Sequence, residues 1–169
     1  GQRKKPPQPR KGRLPPPKNL RSRPPWAAGG GPAMPTPSSP ADELALLTRL
    51  RRDLHRIPEL DFELPETLRY VHDELEALRD DVTARYGEGA CTVFSPCKSS
   101  LCMFFDRKSE HATAVRSDMD ALPVTEKSGA EYASCHQGHM HACGHEGHMA
   151  MGNGLAHHLA GWDDEAKRK

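Results

Sequence analysis

The sequence predicts an α/β sandwich. Two stretches with apolar residues at three- and four-residue spacing come first, short β-branched and aromatic runs follow, and a last helical stretch comes near the end. The order helix, helix, strand, strand, strand, loop, helix, without internal repeat, is that of a layered domain still lacking its later strands.

Ser38 or Ser39 can cap a helix opened by Pro40, and Asp42 and Glu43 suit the positive end of its dipole. Leu44, Leu47, Leu50, Leu54 and Ile57 then define one amphipathic face, ended by Pro58. A second helix is expected from Glu66 to about Arg79, with Leu68, Val71, Leu75 and Leu78 on one face and charge on the other. Beyond Asp80 and Asp81 the period changes. Ala90 to Phe94 and Leu101 to Phe105 read as strands joined by a turn over Ser95 to Ser100. Ala112 to Arg116 reads as a third strand that delivers Asp118 and Asp120 at its C-terminal end, where ligand sites of open sheets gather. Gly144 to about Ala160 is expected to be helical, with Met149, Met151 and Leu155 apolar and Gly152-Asn153-Gly154 opposing the helix.

Composition divides the chain near residue 41. Residues 1–40 hold twelve of the sixteen prolines and nine Lys or Arg with no acid, too little apolar surface to offset ordering entropy, and are expected to form a disordered basic arm. Residues 41–169 are expected to form the folded body; they carry fifteen Lys or Arg against twenty-three Asp or Glu, so the formal +1 of the whole conceals a −8 body. That acidic body, the lone aromatic Trp26 in the arm and the absence of zinc-finger spacing argue against a nucleic-acid partner. No apolar run suits a membrane span or a signal-peptide core, which points away from a membrane partner and to a cytoplasmic protein. Cys91, Cys97, Cys102, Cys135 and Cys143 form neither an even framework nor a CxxC pair, as expected of a reducing compartment. Met34 leads directly into the first helix and is expected to be the natural start, with residues 1–33 upstream or fused sequence.

Met140 to His148 places a thiol, three imidazoles and a carboxylate in nine residues. Cys143 and His145, one residue apart, can reach one metal; thiolate with imidazole favours zinc, and flanking carboxylates also admit manganese or cobalt. The protease helix H-E-x-x-H is absent, because the histidine after His145-Glu146 is His148. Asp118 or Asp120 can hydrogen-bond a ligand imidazole from behind, although two aspartates after a strand are also ordinary turn formers. His141 and His148 bracket the ligand loop and can support the ligands or touch substrate. His136 and His139 are expected in an exposed loop, His157 and His158 at a solvated helix end, Cys135 as a free thiol, and Cys91, Cys97 and Cys102 packed in strands.

Arg51 to Leu60, Arg116 to Pro123, Glu126 to Tyr132 and Met140 to His148 together resemble, in order and spacing, the amidohydrolase branch of the dinuclear-metal aminoacylase and carboxypeptidase family. That branch includes N-acyl-amino-acid amidohydrolases, hippurate hydrolases and plant indole-acetyl-amino-acid hydrolases, and the resemblance covers residues 41 to 160. It implies that residues 41–169 are an incomplete metallohydrolase catalytic domain, the N-terminal part of a zinc-peptidase-like α/β sandwich. It also implies two divalent ions, manganese or zinc with cobalt or nickel as alternatives. Cys143 and His145 fall at ligand positions, the cysteine able to bridge two ions. Asp118 and Asp120 form the adjoining acidic pair, with Asp120 as the orienting residue. Glu146 stands where Asp is more usual and Ser117 where Ala is usual. The implied substrate is a small N-acyl amino acid, and a homodimer is implied only for the full-length form. Family members continue into adjacent glutamates, one the general base and the other a ligand, and then two ligand histidines and an inserted lid or dimerisation domain. No two glutamates are adjacent in this sequence, so the base is expected to be missing and the chain alone inactive. The alternative is a non-catalytic, degenerate metal-binding or interaction module tethered by its arm. Acyl and amino-acid preference are not set by these residues. Because an incomplete sheet leaves an open edge and an uncovered apolar face, residues 41–169 expressed alone are expected to aggregate or to be partly disordered; a monomeric, cooperatively melting product in size-exclusion and thermal unfolding runs would contradict this.

Overall fold

The computed structural model describes residues 36–161. Three helices, α1 (Pro40–His55), α2 (Pro65–Tyr86) and α3 (His145–Ala160), accompany a two-stranded antiparallel sheet of β1 (Cys91–Phe94) and β2 (Cys102–Phe105), paired Cys91 to Phe105 through Phe94 to Cys102. The α/β class, both strands and the three helices stand as expected. Most of the proposed arm, with Met34, lies outside the described residues.

Helix α1 starts at Ser39, whose hydroxyl accepts from the Asp42 N–H, while the Asp42 carboxylate accepts from both Ser38 and Ser39 hydroxyls at 2.8 Å. Its buried stripe is Leu46, Leu50 and Leu54, continued by Ile57. The expected face differs only at its start: Leu44 is 67% exposed, and Leu46, two residues on, is buried in its place against Ala150 of α3, while Leu50, Leu54 and Ile57 are buried as expected. Helix α2 runs seven residues beyond its expected end. Val82 continues the buried stripe Val71, Leu75 and Leu78, while Asp80 and Asp81 face solvent and pair with Arg79 and Arg85. No side chain at its own N-terminus caps α2. Instead Glu59 accepts from the N–H groups of Glu66 and Thr67 at 3.0 and 2.8 Å, a carboxylate at the positive end of the helix.

Residues 112–116 form no strand. They are exposed and have no neighbouring ladder among the described residues, and an extended segment without a partner is not a sheet element. Two isolated bridges do the positioning expected of that strand: Leu60 to Ala121, parallel, and Leu122 to Met140, antiparallel. Ala121 N–H donates to the Glu59 carbonyl at 2.7 Å, and Leu122 and Met140 exchange a pair of 3.0 Å bonds.

The main core gathers Leu54, Ile57, Val71, Leu75, Leu78, Val82, Cys91, Met149, Ala156 and Ala160. Helix α3 buries small residues against α1, so Met151 and Leu155 of its expected apolar face stay 59% and 38% exposed. The Gly152-Asn153-Gly154 run lies inside this helix. A Cβ at residue 154 would meet Leu47 Cδ2 at 2.5 Å, and the Asn153 amide donates to the Met149 carbonyl at 2.9 Å. His157, expected in solvent, is buried, and burial pushes its imidazole below the usual range. No described helix is long and apolar enough to cross a membrane.

Gly154→Ala should change stability by less than about 1 kcal/mol, because the new methyl displaces only the end of the half-buried Leu47 side chain while alanine is the better helix former; urea unfolding checks it. Because the folded His157 binds its proton less readily than the unfolded residue, its contribution is intact above the unfolded value of about 6.5 and falls away as the pH drops below it. His157→Gln should therefore flatten the decline in melting temperature between about pH 7.5 and about pH 5.5.

Candidate metal centre

The Leu122–Met140 bridge sets the residues after Met140 beside Asp120. His145 Nδ1 lies 2.9 Å from the Asp120 carbonyl and 3.1 Å from its Oδ1. Both oxygens accept, so Nδ1 carries the proton and Nε2 keeps its lone pair, the tautomer and orientation of a metal-binding histidine. Cys143, two residues earlier, is an exposed free thiol. Between them Gly144 adopts φ +82°, a left-handed conformation that a side chain there would strain. The His148 ring stacks on His145 with centroids 6.2 Å apart. Asp118 pairs with Arg116 and makes no contact with His145 in the manner of Asp120. An oriented imidazole and an exposed thiol fit a borderline or soft divalent ion. Among the described residues no group of three or more His, Cys, Asp or Glu surrounds a common point.

Behind this pair lies a buried polar cluster. His55, at the end of α1, has Nδ1 2.9 Å from Glu146 Oε1 and Nε2 3.2 Å from Glu126 Oε1. Arg51, one turn earlier on α1, lies 3.2 Å from the same Glu146 oxygen. Burial raises the Glu126 carboxyl, but hydrogen bonds from the Ser128 hydroxyl, the Ser134 N–H and His55 outweigh it and hold the group below the usual carboxylate range. Tyr132 meets the His55 ring edge-on at 5.7 Å, and the Arg51 and Arg52 guanidiniums lie 4.9 and 5.0 Å from the tyrosine centroid. His141 is enclosed, with Nδ1 3.9 Å from Glu146 Oε2, too long for a hydrogen bond. Burial pushes its imidazole down to about 4, against the opposing pull of Glu146. An open cleft of about 580 Å³ between α1, Tyr132 and α3 is lined by His148 and Gly144 but by neither Cys143 nor His145, so it is not the donor position.

The structure thus joins Asp120, His145 and His148, leaves Cys143 as an exposed thiol two residues before His145, and places His141 and Glu146 in the cluster behind. Spacing gave no role to His55, Glu126, Arg51 or Tyr132, whose contacts span 71 and 91 residues in the case of His55. All four do lie in stretches that carry the family resemblance, and that was the available signal. His136 is partly buried rather than loose, its Nδ1 2.9 Å from the Pro58 carbonyl. Cys97 sits exposed in the β1–β2 turn, not in a strand.

Residues 114–169 match the peptidase family M20/M25/M40. An N-acetyldiaminopimelate deacetylase from Halalkalibacterium halodurans is 41% identical over 114 residues, covering 68% of this chain and 29% of that protein. The corresponding deacetylase from Shouchella clausii is 34% identical, covering 70% and 29%. The crystal structure of a dinuclear metal binding peptidase from the M20 family of Bacillus subtilis superposes with a TM-score of 0.62 at 30% identity, covering 72% of this chain and 32% of that one. The chain spans about 29% of the length of these curated relatives.

In the native chain, iodoacetamide should label Cys143 readily and Cys91 only on unfolding, since burial encloses the Cys91 thiol and pushes it up to about 12. Peptide mass spectrometry reads the two rates, and equal labelling would contradict the packing described.

Proposed function

Because the chain belongs to peptidase family M20/M25/M40, we propose that it carries the first ligand segment of a metal-dependent amidohydrolase acting on the amide bond of N-acyl amino acids. The observation that supports this most directly is the His145 imidazole, its Nδ1–H given to Asp120 and its Nε2 left free, two residues along the chain from the exposed Cys143 thiol. In this reading the Cys143 sulfur and His145 Nε2 are donors, Asp120 keeps the imidazole in its tautomer, and His148 stacks on the ligand ring. A bound divalent ion supplies Lewis acidity toward an amide carbonyl. Manganese and zinc are the proposed metals, and the fold of the Bacillus subtilis dinuclear peptidase favours two ions in the complete enzyme.

Amide hydrolysis also needs a proton acceptor close to the attacking water, a role worth roughly 10²–10⁴ in rate. The buried carboxylates do not offer it: Glu126 and Glu146 are committed to His55 and closed off from solvent. We therefore propose that these 169 residues alone hydrolyse no N-acyl amino acid.

Titration with cobalt(II) tests the reading. The chain should develop a thiolate-to-cobalt absorption that Cys143→Ser abolishes, and Asp120→Ala should weaken binding by about 10–100-fold. A wild-type chain without that absorption would sink the proposed metal role. Acetate release from N-acetyl amino acids by the same chain is expected to stay at background, and measurable turnover would show that a base has been overlooked.

A further inference from the structure

Helix α3 begins without a side-chain cap, since its N-cap is Gly144. Its first two residues are instead fixed from outside, His145 by Asp120 and Glu146 by α1. The hold on Glu146 is one-sided. Oε1 faces His55 Nδ1 at 2.9 Å and Arg51 at 3.2 Å, whereas Oε2 has no hydrogen-bond partner. Of the two α1 groups, Arg51 is 37% exposed and shared with the Tyr132 ring, while the His55 side chain is 4% exposed. His55 is thus the enclosed end of the clamp. Its other nitrogen, on Glu126, orients the ring toward the 126–134 segment and does not touch α3.

We propose that His55 is a positioning residue for the donor pair: by holding Glu146 through Nδ1 it fixes the uncapped first turn of α3, and with it His145 and the adjoining Cys143. The role assigned to those two donors rests on the metal reading above, whereas the clamp itself does not.

The two ring nitrogens can be separated by substitution. The amide nitrogen of Asn falls near the position of His Nδ1 and that of Gln near Nε2, so His55→Asn keeps a donor for Glu146 and His55→Gln keeps one for Glu126. In the metal-free 169-residue chain, hydrogen exchange is followed at the bonded amides of Gly144, Gly147 and His148. His55→Gln should raise their exchange by about tenfold or more, with His55→Asn close to wild type. A rise of equal size in both variants, or in neither, overturns the proposal, because a residue that only fills space does not distinguish its nitrogens. If His55→Gln does not fold, Glu146→Met is compared with Glu126→Met: faster exchange in the former alone supports the clamp, and equal exchange overturns it. Cobalt(II) titration of the same variants then reads the donors, with affinity reduced about 10–100-fold in His55→Gln and retained in His55→Asn. A wild-type chain that binds no cobalt through Cys143 refutes the metal reading, and the metal-free exchange comparison still decides the clamp.

Discussion

Helix α3 meets α1 at Gly154, where the Leu47 side chain fills the place a Cβ would take. A larger residue at 154 would have to turn Leu47 aside, and with it the side-chain packing between the two helices. Between the same helices Leu46, Leu50 and Ala150 close a small apolar cluster, and Glu146 at one end of α3 reaches His55 at the far end of α1. A hydrogen bond of 2.9 Å leaves a few tenths of an ångström of slack, so packing near Gly154 and the polar contact two turns away are one geometric condition.

Placing that contact in the interior has an energetic consequence. Charged groups withdrawn from water gain less from each other than their short distance suggests, while removal of one partner leaves the other stranded at about 3–5 kcal/mol. The cluster around His55 is therefore a weak source of net stability and a strong constraint on register. A helix α3 rotated or shifted by one residue would bury Glu146 with nothing opposite it. His141 fits the same account: its ring is enclosed without a hydrogen-bond partner, and burial keeps it from charging. Such an arrangement is tolerated where the surrounding packing leaves no alternative.

The periodic parts of the fold were legible because their cause is local. Leu50 and Leu54 announce α1, and Val71, Leu75 and Leu78 announce α2, since each helix must bury one face whatever lies opposite. Which neighbouring leucine completes the α1 stripe was not legible, because Leu44 and Leu46 differ only in whether α3 covers them. Residues 112–116 have the composition of a strand, but strand formation is decided by a partner, and none is supplied among the described residues. At the site, the proximity of Cys143 and His145 follows from adjacency in sequence, and Asp120 could be named as an orienter from its motif. The third layer, His55 with Glu126 and Glu146, joins residues whose separation along the chain carries no periodic signal. It was contained in the motif stretches without any indication of what the residues do there.

The polar contacts of the molecule also divide by their exposure to dissolved salt. Lys98 with Glu63 and Lys108 with Asp106 lie in water, where counterions at physiological ionic strength weaken attraction beyond about 8 Å and compete for each charge. The hydrogen-bond contacts of His55 with Glu146 and Glu126 are enclosed by the protein. Rising ionic strength therefore loosens the outer tethers, including the one that ties the β1–β2 turn to Glu63, before it reaches the anchor of α3.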